Sequence, residues 1–341
     1  MTRPLLEWIH LPFVNDPVPE KILFRVDAGR IWGLSFGHLS RCLTLSGAFR
    51  KLYKSENKFL MRNYPEGIRH ATNAGQNVQI MPVELSRKEE REQILESIKE
   101  FHAEVLVVDL PYHDIDTSYF RELRKTGLKI IFIDDCRYMV PPVDVYLNSS
   151  LLSKRMVQGK IDNKTMLFLG SEYFIFDESL LNDKPVRKDG NINVVITFGG
   201  SDPAGLTIQA VETLLLTEWL NCYFWVILGP GYKGIDEIQN LLEKSDNFQI
   251  VDNPYNIIPF MQGCDICICA GGRSMYELVY LKKNFIPIPS AKHEKDVIKE
   301  TKKLKLNKPG SRHLLSESIF TKLLETMNPL INNVEAVKNG L

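Results

Sequence analysis

The chain has 341 residues, 44% of them hydrophobic and 25% charged, and its 42 Lys+Arg balance its 42 Asp+Glu. That balance argues against the clustered basic footprint of a broad nucleic-acid binder, and no run is long and apolar enough to span a bilayer. The length suits two domains better than one core.

Residues 1–20 carry Glu7, His10 and Asp16 and read as an arm ahead of the first strand, not as a signal peptide. Short apolar runs then alternate with amphipathic patterns. KILFRVD, NKFLMR, NVQIMP, EVLVVD, LKIIFID and VDVYLN read as strands, with helices between them, notably at 37–53 and 86–101. The alternation breaks in ESLLNDKPVRKDGN, which holds Pro185 and Gly190 and reads as a linker. It restarts with INVVITF, a helix from Pro203, CYFWVIL, a helix near 235–244, FQIV, a helix near 254–262, DICICA, a helix from Gly272, and NFIPIP. Helical segments close the chain. This pattern predicts an α/β protein of two Rossmann-like, doubly wound parallel-sheet domains, 21–182 and 191–341. Ligand is then expected in a cleft facing the carboxyl ends of the strands. The six cysteines form no secreted-type framework; Cys267 and Cys269 share one face of a buried strand, and a reducing cytoplasm fits best.

Two loops of the second half stand at strand ends. ITFGGSDPAGLT places Gly199, Gly200, Ser201 and Asp202 between a strand and a helix, with Pro203 suited to the helix's first turn. ICAGGRSMYELVYL does the same with Gly271, Gly272, Arg273 and Ser274. Glycines allow close backbone approach, and a helix start offers free N–H groups and a positive dipole end, which suits a diphosphate. Glu277, one turn on, can accept from the two hydroxyls of a ribose. Neither loop has the Walker or GxGxxG spacing, so ATP hydrolysis and NAD chemistry lose support.

In the first half, KILFRVD ends in Asp27, a Gly-punctuated loop follows, and His38 stands near a helix start with Arg41 three positions on. Such an imidazole can take a proton from water or a hydroxyl. Asp27 and His38 are the expected catalytic pair. Asp109 and Asp134-Asp135, at other strand ends, can hold a sugar, orient His38 or cap loops; His113 is a weaker candidate base.

VDAGRIWGLSFGHLSRCLTL resembles the RxDxSxxIGxGHxxRCLxLA opening of the UDP-sugar hydrolases of pseudaminic acid biosynthesis and of their spore-coat polysaccharide relatives. The similarity continues through VLVVD, IFIDDCRYMVPPVDVYLNSS, LGSEYFIF, TFGGSDPAGLT and AGGRSMYELVYLKKNFIPI, and so covers most of residues 21–295. The resemblance implies a GT-B-like fold and release of UDP from a diacetamido-trideoxy sugar by hydrolysis at the anomeric carbon. It implies that His38 is catalytic, that Gly200, Ser201 and Asp202 form a first nucleotide loop, and that Gly272, Ser274 and Glu277 hold diphosphate and ribose. Gly29 stands where the family has a serine. The family's Asp-His-Tyr reads Asp109-Leu110-Pro111, with Tyr112 and His113 displaced, and its Asn-Gln reads His293-Glu294. Asp109, Tyr112, His293 and Glu294 are therefore the expected sugar-side residues.

The expected activity is inverting hydrolysis of a UDP-activated acetamido sugar in surface-glycan or nonulosonic-acid synthesis, with no metal or organic cofactor. Transfer to an acceptor hydroxyl is the alternative, and UDP-sugar binding without turnover a third reading. The expected partners are the UDP-sugar and enzymes acting before and after it on the same sugar, not nucleic acid.

Overall fold

The computed structural model describes residues 5–14, 16–29, 34, 36–110, 117–135, 139–157, 161–176, 181–254, 256–307 and 314–332, the side chains of 314–317 excepted. The chain divides into two compact units, Met1–Asp177 and Glu178–Leu341.

The first unit is a seven-stranded sheet: β1 (Lys21–Val26), β2 (Glu56–Arg62), β3 (Asn77–Met81), β4 (Val105–Asp109), β5 (Lys129–Ile133), β6 (Val145–Asn148) and β7 (Met166–Leu169). Their order is β3-β2-β1-β4-β5-β6-β7 and every pairing is parallel. Strands buried on both faces read as near-continuous apolar runs, and VLVVD and KIIFI do so. Successive side chains still point to opposite faces. Ile22, Phe24 and Val26 of β1 and Val105 and Val107 of β4 join the core under helix Phe36–Tyr53. Leu23 of β1 and Leu106 and Val108 of β4 join the core under helices Arg87–Phe101 and Thr117–Arg124. The helix Arg87–Phe101 is set by a capping box in which Ser86 and Glu89 exchange side-chain and backbone hydrogen bonds, and it ends at His102 in the left-handed region. β7 was not anticipated; MLFL is short and half exposed, so it carries little period-two signal.

The residues ahead of β1 are part of this core. Trp8 packs on Phe168 and Tyr173, with ring centroids 5.4 Å from each, and Phe13 packs edge-on to Phe49 and Tyr53. Lys129 ties the arm down by donating to the Pro12 carbonyl and pairing with Asp16.

The second unit is a five-stranded parallel sheet: β8 (Ile192–Thr197), β9 (Cys222–Leu228), β10 (Phe248–Asp252), β11 (Ile266–Ala270) and β12 (Asn284–Ile288), in the order β10-β9-β8-β11-β12. Cys267 and Cys269 lie wholly buried in β11. The segment read as a linker is docked on this unit. Asn256 donates to Asp183, Val186 N to the Pro259 carbonyl, and buried Asn193 bonds both the N–H and the C=O of Lys188. Its polar, Pro- and Gly-containing composition reflects exposure, while its backbone is pinned. Among the described residues no helix is long and apolar enough to cross a membrane.

Both sheets reverse strand order once, between β1 and β4 and between β8 and β11. At such a switch point the two following connections run to opposite faces and leave a crevice at the carboxyl edge. Asp27 and His38 follow β1, Asp109 ends β4, residues 199–202 follow β8 and residues 271–277 follow β11, whereas His293 and Glu294 follow β12.

Candidate active site

Asp109 ends β4 and is wholly buried. It shares the face of Val105 and Val107, so it meets helix Phe36–Tyr53. His38, in that helix's first turn, brings Nδ1 to 2.6 Å from Asp109 Oδ1. One turn on, Arg41 donates from Nε to Asp109 Oδ2 and from Nη2 to Oδ1, both at 2.8 Å, and from Nη1 to Asp135 Oδ2 at 2.9 Å. Burial pushes the Asp109 carboxyl up, but Arg41 and then His38 outweigh it and hold the group below its ordinary range. Asp134, one strand over, accepts from the Tyr146 hydroxyl at 2.6 Å.

The Asp109 shift has a measurable sign. Its ionised form contributes stability that is present above the unfolded carboxylate range and lost as pH falls through the folded value. Asp109→Asn should therefore flatten the acid-side fall of the unfolding midpoint below about pH 4. An unchanged acid slope would show that the ion pair is not formed.

Asp27 takes a different place. It shares the face of Arg25, so it looks toward helix Arg87–Phe101, away from His38. Oδ2 pairs with Arg25 Nη2 at 2.7 Å and Oδ1 accepts from the Arg62 N–H at 2.7 Å. Arg25 also pairs with Glu90 at 2.8 Å, and Glu90 with Arg62 at 2.7 Å. Asp27 thus belongs to a buried structural network, and Asp109 is the carboxylate brought to His38.

In the second unit Asp202 also serves its own backbone. Its carboxylate accepts from Leu206 N at 2.9 Å and Thr207 N at 2.7 Å, which caps helix Leu206–Leu215. Burial holds this carboxyl above its ordinary value against the pull of those donors. The helix therefore starts after Pro203, and its first donors are occupied. Gly199, Gly200 and Ser201 form the loop before it. That loop rests on Gly229, beyond β9, where an added Cβ would lie 2.4 Å from the Gly199 carbonyl oxygen and 2.5 Å from Gly200 Cα. Gly231 N also donates to the Gly200 carbonyl at 2.6 Å. Gly229-Pro230-Gly231 was not singled out in the sequence, though glycines at the end of CYFWVIL are the same kind of signal as the two loops that were.

At the second loop, helix Arg273–Tyr280 begins at Gly272 with no capping side chain. Arg273 lies along its own helix, with Nε 2.8 Å from Glu277 Oε1. Gly271 is required by packing: an added Cβ would lie 2.8 Å from Glu294 Cβ and Ile298 Cδ1. Glu294 is buried, and its Oε2 accepts from Ser290 N and Oγ, Ala291 N and Gly271 N. It clips the loops after β11 and β12 together, while His293 beside it is exposed. Tyr112 and His113 lie outside the described residues.

The fold is α/β of the GT-B-like class, two parallel sheets with packed helices. Among solved structures, MurG of Acinetobacter baumannii aligns with a TM-score of 0.54 at 13% identity, over 94% of this chain and 95% of that one. Anabaena HepE in complex with UDP-glucose aligns with a TM-score of 0.52 at 10% identity, over 91% of this chain and 100% of that one. UDP-GlcNAc 2-epimerase from Neisseria meningitidis bound to UDP-GlcNAc gives 0.51 at 11% identity, over 93% and 97%. In sequence, an uncharacterized protein of Methanocaldococcus jannaschii is 27% identical over 261 residues, 73% of this chain and 51% of that protein. The spore coat polysaccharide biosynthesis protein SpsG of Bacillus subtilis is 21% identical over 217 residues, 60% of this chain and 61% of that protein. The matches thus span about half the length of the first curated relative and about three-fifths of the second. No family model matches the sequence.

Proposed function

We propose that the chain is a UDP-sugar hydrolase: the second unit holds the nucleotide and His38 of the first directs water at the anomeric carbon. The observation that carries this reading is the His38–Asp109 contact at the β1/β4 switch point. A carboxylate only accepts, so the contact needs the hydrogen on Nδ1, which leaves the Nε2 lone pair to take a proton from water. Among the described residues no hydrogen-bond partner is recorded for Nε2. The start of helix Arg273–Tyr280, which follows Gly271-Gly272 at the end of β11, suits the leaving diphosphate, whose charge builds as the bond to the sugar breaks. Glu277 suits the ribose. Attack by water opposite the leaving group gives inversion. UDP-sugars appear in the structural neighbours HepE and the Neisseria epimerase, and a polysaccharide role in the name of SpsG. The acetamido-deoxy character of the sugar, its place in surface-glycan or nonulosonic-acid synthesis and a cytoplasmic location belong to the same proposal.

The same base can deprotonate an acceptor hydroxyl, so glycosyl transfer is the competing chemistry. The test is UDP release from a panel of UDP-N-acetylated sugars with and without added acceptor. Steady turnover with water alone supports hydrolysis; release only with an acceptor supports transfer; binding without release would leave a UDP-sugar-binding protein.

The loop contact at Gly229 carries a further prediction. In Gly229→Ala the new Cβ meets backbone atoms, which cannot rotate away, so the Gly199–Ser201 loop must shift. Overpacking of this kind costs roughly 1–3 kcal/mol, and a share passed to the ligand should weaken UDP binding about tenfold. Calorimetric titration with UDP checks this; unaltered affinity would remove the loop from the nucleotide site.

A further inference from the structure

We propose that Arg41 is the positioning residue that decides where the proton sits on His38, by supplying the counter-charge that the buried Asp109 would otherwise draw from the ring. The inference deepens the proposed hydrolase reading and rests on it for the catalytic consequence. Asp109 is wholly buried, and a buried carboxylate needs a cation or a proton. Among the described residues two groups stand in reach. One is His38 as an imidazolium; the other is Arg41, which is always charged and donor-only. Arg41 takes the carboxylate bidentately through Nε and Nη2, and Asp135 holds the remaining Nη1.

The geometry around Nδ1 is specific. Arg41 Nη2 lies 2.9 Å from Nδ1, and Asp109 Oδ1 lies 2.6 Å from it. A bare Nδ1 would set two acceptors against each other across the shorter contact. A protonated Nδ1 sets two donors 2.9 Å apart instead, a longer contact that is relieved because both hydrogens can turn to Oδ1; the shorter contact decides, and Nδ1 carries the hydrogen. Protonating Nε2 would place a second positive charge beside the guanidinium, and among the described residues Asp109 is the carboxylate that meets the ring. Among the described residues, the charged groups around the ring are Asp109 from β4, Arg41 from its own helix and, through Arg41, Asp135 beyond β5. Cys42 sits beside the same pair with its thiol pushed up, first by burial and then by Asp109, so it adds no charge. Arg41 thus leaves Asp109 free to orient the ring without charging it.

Nitrogen NMR of the ring, assigned by loss of the signal in His38→Gln, reads this directly, because the two nitrogens resonate apart in a single tautomer and close together in imidazolium. Wild-type protein is expected to show the Nδ1–H tautomer at neutral pH. Arg41→Met should show imidazolium, with kcat down by about 10²-fold and KM within about twofold. Free guanidinium should restore part of that kcat and none in His38→Ala. Arg41→Lys keeps the charge, so it should keep the tautomer even if Arg41→Met does not fold. An unchanged tautomer in Arg41→Met, or imidazolium in Arg41→Lys, overturns the inference. If the NMR results hold while the wild type releases UDP from no sugar, the hydrolase reading fails and the role of Arg41 on the ring stands.

Discussion

His38→Ala is expected to lower kcat for UDP-sugar hydrolysis by about 10²–10⁴-fold, the usual contribution of a positioned general base. UDP affinity should be unchanged, because the groups proposed to hold the nucleotide all lie in the second unit. Both halves of the result matter. A fall in turnover alone could come from a disturbed fold, but His38 is in a helix's first turn and its neighbours Arg41 and Asp109 satisfy each other without it. The truncation therefore leaves no buried charge unpaired, and unfolding midpoints should move little. Turnover within about threefold of wild type would remove the base from the mechanism. Loss of UDP binding in a folded variant would instead make His38 a ligand-binding group.

Arg25→Met should give the largest stability change in the first unit. Arg25 is wholly buried and joins Asp27 and Glu90, which are buried as well. It occupies a strand position whose neighbour on the same face, Leu23, is apolar, so methionine fits the position by shape. What it cannot do is balance two carboxylates. Removing one partner of a buried ion pair costs about 3–5 kcal/mol, against a total stability of roughly 5–15 kcal/mol for a domain. Glu90 retains Arg62, so the Arg25→Met/Glu90→Met pair should be less destabilised than the sum of the two single changes. Denaturant unfolding of the four proteins measures this. A single-variant loss below about 1 kcal/mol, the scale of an exposed pair, would mean the network is solvated.

Most of the strand pattern and the candidate loops were legible because they rest on local rules. Apolar runs of strand length, glycines at their ends and a histidine opening a helix identify themselves one segment at a time. What was not legible depended on which face a residue takes and which helix covers it. Asp27 and Asp109 both lie at carboxyl ends of neighbouring strands, and Val26 pairs with Asp109 in register. A shift of one position along the strand turns a side chain to the other face. Asp27 therefore meets Arg25 and the Glu90 helix, and Asp109 meets His38 and Arg41. Sequence spacing favoured Asp27, which is closer to His38 along the chain, while only the strand order brings in Asp109 from 71 residues away. Asp202 and Glu294 carry a structural role that was illegible for another reason. Each looks like a ligand-binding acid in a loop, but buried backbone donors need acceptors, and these two carboxylates supply them. The arm showed a similar limit: Trp8 and Phe13 are apolar and scattered, and only the core they fill explains them.

The proposed hydrolase reading comes down to which bond breaks. Hydrolysis run in ¹⁸O-water, with both products weighed by mass spectrometry, distinguishes attack at carbon from attack at phosphorus. Label in the released sugar and none in UDP is the predicted result. Label in UDP would mean that water reaches the diphosphate instead, and the role given to His38 could not stand.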